Sequence, residues 1–154
     1  MRYVIALLAV AGIIVSSLAF QVHYSNKVEP CDINSRWDCG IVNHSSFSTV
    51  SGLWWHVRDS LHPGALQGPA PRTGLPVAAV GIMGYAAIAL LAFCRRRWWV
   101  ALFSLAALGF ALWLSNIEAH VLQVWCLYCV ISQCLIALIA LLSIAWLCVP
   151  RRRA

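Results

Sequence analysis

The sequence predicts an all-α integral membrane fold, a four-helix bundle with a long outer loop that contains a short amphipathic helix. Three observations predict it: a composition too apolar for a water-soluble surface, four apolar runs of spanning length, and arginines gathered at their ends. Of the 154 residues, 62% are hydrophobic and 10% charged, and a soluble domain of this size needs far more charge to cover itself. The whole chain, residues 1–154, reads as a single domain. The formal charge of +6 looks at first like a nucleic-acid signal. However, six of the eleven basic residues stand in two triplets, Arg95-Arg96-Arg97 and Arg151-Arg152-Arg153, each closing an apolar run. No basic stripe alternates with stacking aromatics, so nucleic acid is not an expected partner.

The runs cover about 3–22, 74–94, 98–116 and 121–149, none with a charge in its interior. Each approaches or exceeds the ~20 residues that cross a ~30 Å hydrocarbon core. The first run has an alternative as a cleaved signal peptide, with Ser17-Leu18-Ala19 as a small-x-small site. It is long for that role and only Arg2 precedes it. Orientation follows from the arginines. An N-terminus in the cytoplasm keeps Arg2 and both triplets inside. Lys27, Arg36, Arg58 and Arg72, all five acidic residues (Glu118 among them) and all five histidines then fall outside. Trp98 and Trp99 beside the inner arginines, and Trp125 at the outer end of the last span, fit interfacial belts. Abundant Ala, Leu and Arg with a single Lys suggest a bacterial plasma membrane with the site on its periplasmic or exterior side. An endoplasmic reticulum membrane with a lumenal site is the alternative.

The outer loop, residues 23–73, places Phe47, Val50, Leu53, Trp54 and Val57 at helical spacing with polar residues between them. This predicts an amphipathic helix over Phe47–Leu61, lying on the membrane or covering the bundle mouth. His62-Pro63-Gly64 ends it, and Gly68-Pro69-Ala70-Pro71 links it to the second span.

Seven cysteines divide by depth. Cys94 and Cys148 sit at the inner ends of spans and Cys134 within the last one, where they read as small buried apolar residues. Cys31, Cys39, Cys126 and Cys129 map to the oxidising outer face, and an even number there suits paired thiol chemistry. Cys126-Leu127-Tyr128-Cys129 opens the last span, where residues three apart share a face. Helix N-terminal amides favour a thiolate there, and this is expected to keep Cys129 reactive. Cys31 and Cys39 flank a polar stretch in a loop expected to be mobile and exposed. Such a pair can take electrons from soluble thiols and pass them, through a mixed disulfide between Cys39 and Cys126, to the helix pair. Cys129, deeper in the membrane, then delivers them to a hydrophobic acceptor. Two other readings stay open: static structural disulfides, and a metal-handling protein that adds His44 or His120 to the thiols. Asn43, Ser45, Ser132, Gln133 and Trp54 are candidate contacts for the acceptor, with Phe47 and Trp55 as further walls.

The order of these features resembles the vitamin K epoxide reductase family: Cys31 and Cys39 eight residues apart, Ser45 six residues after Cys39, Gly74-Leu75-Pro76 leading to Gly81 and Tyr85, then the CxxC at the start of the last helix. The resemblance runs from about Ala19 to Leu147. It implies a four-helix bundle around a quinone near the outer face, with menaquinone, ubiquinone or vitamin K as electron acceptor and neither metal nor flavin. It further implies that Cys129 contacts the quinone ring, Cys126 is its exchange partner, and Cys31/Cys39 shuttle electrons from a thioredoxin-fold protein to support disulfide formation. Ser45 would help order the loop. The animal enzymes carry an asparagine and a tyrosine that hold the quinone oxygens where this chain has Val77 and Gln133. Quinone reduction is therefore the firmer expectation, and vitamin K epoxide reduction the weaker one. With the chain ending at Ala154, the thioredoxin-fold partner is expected as a separate protein.

Overall fold

The computed structural model describes residues 1–25, 31–63 and 68–149. Lys27, Glu29, Gly64 and the Arg151–Arg153 triplet lie outside the described residues. The described chain is helical: α1 (Arg2–Tyr24), α2 (Cys39–Asn43), a 3-10 turn (Ser46–Ser48), α3 (Val50–Leu61), α4 (Val77–Phe93), α5 (Arg97–Ile117), a π-turn (Glu118–Leu122) and α6 (Leu127–Cys148). Three segments, Arg2–Tyr24, Arg97–Leu122 and Leu127–Cys148, are long and apolar enough to cross a membrane, and α4 is a shorter apolar helix.

Helix α1 turns mainly small residues inward and larger ones outward. On α1, the buried stripe is Ile5, Ala6, Ala9, Gly12, Ser16, Ala19 and Val22, while Leu7, Val10, Ile14 and Leu18 are exposed. Helices that associate in lipid gain nothing from hiding leucine, so close approach of small residues decides their contacts. The core draws on all four helices: Ile5 and Ala9, Tyr85, Ile88 and Ala92, Val100, and Ile136, Ile139 and Trp146. Cys94, Cys134 and Cys148 are exposed rather than buried. Their expected burial fails because the bundle interior is a narrow stripe, and these three positions face away from it.

Polar contacts fix the register of the helices. Tyr85 on α4 reaches α6, where its hydroxyl lies 2.8 Å from the Ser132 carbonyl and 2.9 Å from the Ser132 hydroxyl. Its ring crosses α1 at Gly12, where a Cβ would stand 2.4 Å from it. Ser104 on α5 meets Ser143 on α6 at 3.1 Å, both buried, a contact worth about 0.6 kcal/mol in a bilayer. At the other end of α6, Arg97 donates to the carbonyls of Trp146 and Val149 and lies over the Trp146 ring. An arginine that the sequence presents as a topology signal thus also satisfies helix C-terminal carbonyls.

Two boundaries depart from the sequence reading. The gap between the third and fourth apolar runs, residues 117–120, is helical, since α5 runs on through the π-turn to Leu122 before Gln123, with φ 55°, reverses the chain. The last helix accordingly begins at Leu127 rather than near residue 121. One consequence is that Glu118, expected outside with the other acids, is buried.

The segment between α1 and α4 contains α3, which begins at Val50 rather than at the expected Phe47, a residue of the preceding 3-10 turn. Thr49 caps it by accepting from the Gly52 N–H at 3.2 Å, and Val50 donates to the Leu75 carbonyl just before α4. Gly52 is required by space, because a Cβ there would fall 1.8 Å from the Ser46 carbonyl oxygen. Phe47 stacks on His56 at 3.9 Å, and the His56 Nε2 pairs with the Ser46 hydroxyl at 2.8 Å. Val50, Trp54, Val57 and Leu61 form an exposed apolar stripe on the same helix.

Two outcomes follow from this packing. Gly12→Ala drives a methyl into the Tyr85 ring, and overpacking of this kind costs about 1–3 kcal/mol. Thermal unfolding in detergent should show the loss, and the smaller ring of Tyr85→Leu in the same chain should recover part of it. Burial holds the His56 imidazole below its ordinary value of 6.5, against the pull of Asp59. The unfolded chain therefore binds this proton more readily, so the neutral ring's stabilisation is present above about pH 6.5 and is lost as pH falls through the folded value. The melting temperature should drop on acidification in wild type and drop less in His56→Gln, which still accepts from Ser46.

Candidate active site

The loop cysteines are joined: Cys31 and Cys39 form a disulfide with Cα atoms 5.9 Å apart. Cys126 and Cys129 are free thiols. The loop pair had been expected in an exposed, mobile segment, yet Cys31 is 2% and Cys39 0% exposed. Both pack in one cluster with Val22, Val42 and Cys126, flanked by Leu127, Tyr128 and Cys129.

The local sequence explains this burial. Asp32 accepts from the N–H groups of Cys39 and Gly40, at 2.9 and 3.3 Å, and Asp38 accepts from Ile41 at 2.8 Å. Two carboxylates at its first amides give a five-residue helix the capping it needs to form. Asn34 tightens the preceding turn by accepting from the N–H groups of Arg36 and Trp37. The stretch then pairs with the chain just before the CxxC: Trp125 donates to the Arg36 carbonyl at 2.8 Å, and Asp38 donates to the Trp125 carbonyl at 3.1 Å. The Trp37 and Trp125 rings lie 6.4 Å apart. These contacts set Cys39 beside Cys126, with Asn43 between the two pairs. Its Nδ2 donates to the Cys39 carbonyl at 2.9 Å and reaches the Cys126 sulfur at 3.6 Å.

Cys126 is the N-cap of α6 and Cys129 lies in its first turn. The Cys129 thiol, hydrogen-bonded to the Cys126 sulfur, holds the Cys126 thiol below its ordinary value. The amides of Cys129 and Tyr128 assist, against burial and the Glu118 charge. The helix N-terminus thus favours a thiolate at Cys126, the capping residue. The amides point back past the first turn, where Cys126 stands. Cys126 also donates its backbone N–H to Glu118 Oε2 at 3.2 Å.

Cys129 opens on the other side. It lines a cavity of about 380 Å³ together with Val77, Tyr85, Phe103, Phe110 and Ile136 among its mainly apolar walls. That is the size and character of a site for a small ring-bearing ligand. Of the candidate contacts, Asn43, Ser45 and Ser132 line the cavity, as does Phe47. Gln133 and Trp54 do not. Gln133 is engaged by the Ser115 hydroxyl on α5, one position round the helix from Ser132, and Trp54 is 66% exposed on the apolar stripe of α3. Ser45 donates to the Val42 carbonyl at 2.7 Å and so closes the end of α2.

Two further residues at the cavity escaped the sequence reading. His23, at the end of α1, pairs through Nδ1 with the Asn43 carbonyl at 2.6 Å and so ties the loop to the bundle. Glu118 is 3% exposed, lines the cavity, and touches both Cys126 and Cys129. The only hint in the sequence was that an acid stands eight residues before the CxxC.

Among the described residues, Cys31, Asp32 and Cys39 are close enough together to hold a metal ion. Both sulfurs are committed to the disulfide, and a thiolate-type site needs them as thiolates. His44 and His120 are not part of this group.

No curated protein matches the chain. The model of the vitamin K epoxide reductase family matches residues 3–144. That family is one of oxidoreductases, which use a quinone as electron acceptor and generally work with thioredoxin-like partners. Matched over nearly its whole length, the chain belongs to the vitamin K epoxide reductase family.

Proposed function

We propose that this protein is a membrane thiol:quinone oxidoreductase of four spans, α1, α4, α5 and α6, that relays electrons from a thioredoxin-fold partner to a quinone. The observation that carries the reading is the division of labour within the CxxC. Cys126 faces the loop pair through Asn43 and the shared cluster, whereas Cys129 faces the cavity. A relay needs one sulfur toward the donor and the other toward the acceptor, whereas a static structural disulfide needs neither.

Partner thiols reduce Cys31–Cys39. A loop thiolate, for which we take Cys39 because Asn43 bridges its carbonyl and the Cys126 sulfur, attacks an oxidised Cys126–Cys129 at Cys126 and releases Cys129 as a thiol. Cys31 then resolves the mixed disulfide, which restores Cys31–Cys39 and leaves Cys126 and Cys129 reduced. In that state the loop pair is oxidised and the CxxC holds two thiols, with electrons stored beside the cavity. Menaquinone, ubiquinone or vitamin K then accepts two electrons and two protons as the Cys126–Cys129 bond forms, and the net result supports disulfide formation in partner substrates. Val77 in the position of the family's asparagine keeps the firmer expectation on the quinone rather than on its epoxide.

A partner cannot reach sulfurs this deeply buried, so the loop must lift away from Trp125 in each cycle. Two backbone hydrogen bonds and one aromatic pair contribute on the order of 3 kcal/mol, which corresponds to an open form near one molecule in a hundred. Trp125→Ala removes the aromatic part. Under a reductant it should raise the rate at which Cys31 and Cys39 are alkylated by a water-soluble maleimide several-fold, with Cys94 as an internal reference. An unchanged rate would mean that the loop is not held there.

The overall reading is tested by following quinone absorbance with time for detergent-purified protein given a dithiol reductant. Wild type should reduce the quinone and Cys129→Ala should fall to the uncatalysed rate. Equal inertness of both across ubiquinone, menaquinone and vitamin K analogues would remove the redox reading. Co-purified stoichiometric metal would then favour the metal-handling alternative.

A further inference from the structure

A quinone takes up two protons with its two electrons, and the cavity is largely walled by aliphatic and aromatic side chains that cannot supply them. Among the described lining residues that can carry a proton, which include His23, Tyr85 and Tyr128, Glu118 is the one carboxyl and the one that touches both CxxC cysteines. It is an acid buried to 3% exposure in the π-turn that ends α5, and it lines the cavity. One carboxylate oxygen accepts the Cys126 N–H at 3.2 Å, and the Cys129 thiol is its other close polar neighbour. Among the described residues no lysine, arginine or histidine pairs with it. The π-turn matters here. The extra residue it holds per turn rotates the helix end, and bulges of this type recur at functional sites. An unpaired buried acid is costly unless something recovers the cost, and a surface glutamate at a helix end would serve equally well for capping.

We infer that Glu118 is the proton carrier between the CxxC thiols and the bound quinone, an assignment that rests on the thiol:quinone reading above. Its carboxylate takes the proton from the Cys129 thiol as the Cys129 sulfur bonds to the quinone ring, and delivers it to a ring oxygen. Returned to the carboxylate, it takes the second proton from Cys126. The Cys126 sulfur meanwhile attacks Cys129, so the S–S bond forms as the sulfur–ring bond breaks. The ring leaves with both electrons, and the second proton completes the quinol. Two thiols and a quinone become one disulfide and one quinol, and Glu118 ends as it began. The Cys126 N–H bond holds the carboxyl in place throughout.

Glu118→Gln keeps an oxygen for the Cys126 N–H and removes the transferable proton, which separates proton transfer from positioning. With menadione as acceptor and a dithiol reductant, kcat should fall about 100-fold, as general acid–base losses do. KM for menadione and the melting temperature should be unchanged. Glu118→Asp, which retains an acid on a shorter arm, should recover part of the rate. Turnover of Glu118→Gln within about threefold of wild type, well short of a general acid–base loss, would overturn the assignment. So would a loss that Glu118→Asp fails to recover and that comes with a lowered melting temperature, since that is the behaviour of a purely structural residue. A wild type that does not reduce menadione or any other quinone would instead count against the underlying relay.

Discussion

The short backbone pairing between residues 36–38 and Trp125 organises the functional end of this molecule. Peptide groups at the surface ordinarily satisfy themselves with water, and such a pairing holds only when the flanking side chains dock at the same time. Here they do: Trp37 lies against Trp125, Asp32 and Asp38 cap the short helix that follows, and Cys39 packs in the shared cluster with Cys126. A loop anchored at one residue before the CxxC has its cysteine pair in the register required for exchange. Without that anchor, the seven residues between Cys31 and Cys39 would hold a disulfide of no particular address.

Below the loop, the bundle is a scaffold whose packing leaves a hole where it is needed. Small residues along α1 let α4 come close, and Gly12 admits the Tyr85 ring, which spans to Ser132 on α6. Toward the outer end the helices part around the cavity, and the first turn of α6 brings Cys129 to its wall. The interior is held by a few polar links and by shape, as expected where lipid competes equally for leucine. On α1 the larger residues Leu7, Val10, Ile14 and Leu18 face outward.

Much of this was legible in the residues. The apolar runs marked the segments that form α1, α4, α5 and α6, and the spacing of Val50 to Val57 marked α3. What the sequence hid was fixed by geometry that spacing does not encode. Glu118 read as an outside charge because acids near span ends face water. The π-turn that carries it inward has no sequence signature. Cys31 and Cys39 read as exposed because their surroundings are polar, yet those same polar groups, Asp32, Asn34 and Asp38, spend themselves on the loop's own amides and let the sulfurs bury. Ser132 and Gln133 are neighbours in sequence, but α6 turns one into the cavity and the other onto Ser115, and composition cannot choose between them. Trp54 and Phe47 divide in the same way on the loop.

The most direct test of this arrangement is disulfide mapping of Cys129→Ala by mass spectrometry of unreduced peptides. The geometry predicts that the unpartnered Cys126 thiol captures the loop, giving a peptide pair joined through Cys39 and Cys126 with Cys31 free. An intact Cys31–Cys39 bond beside a free Cys126, or a bridge from Cys126 to Cys31 instead, would contradict it.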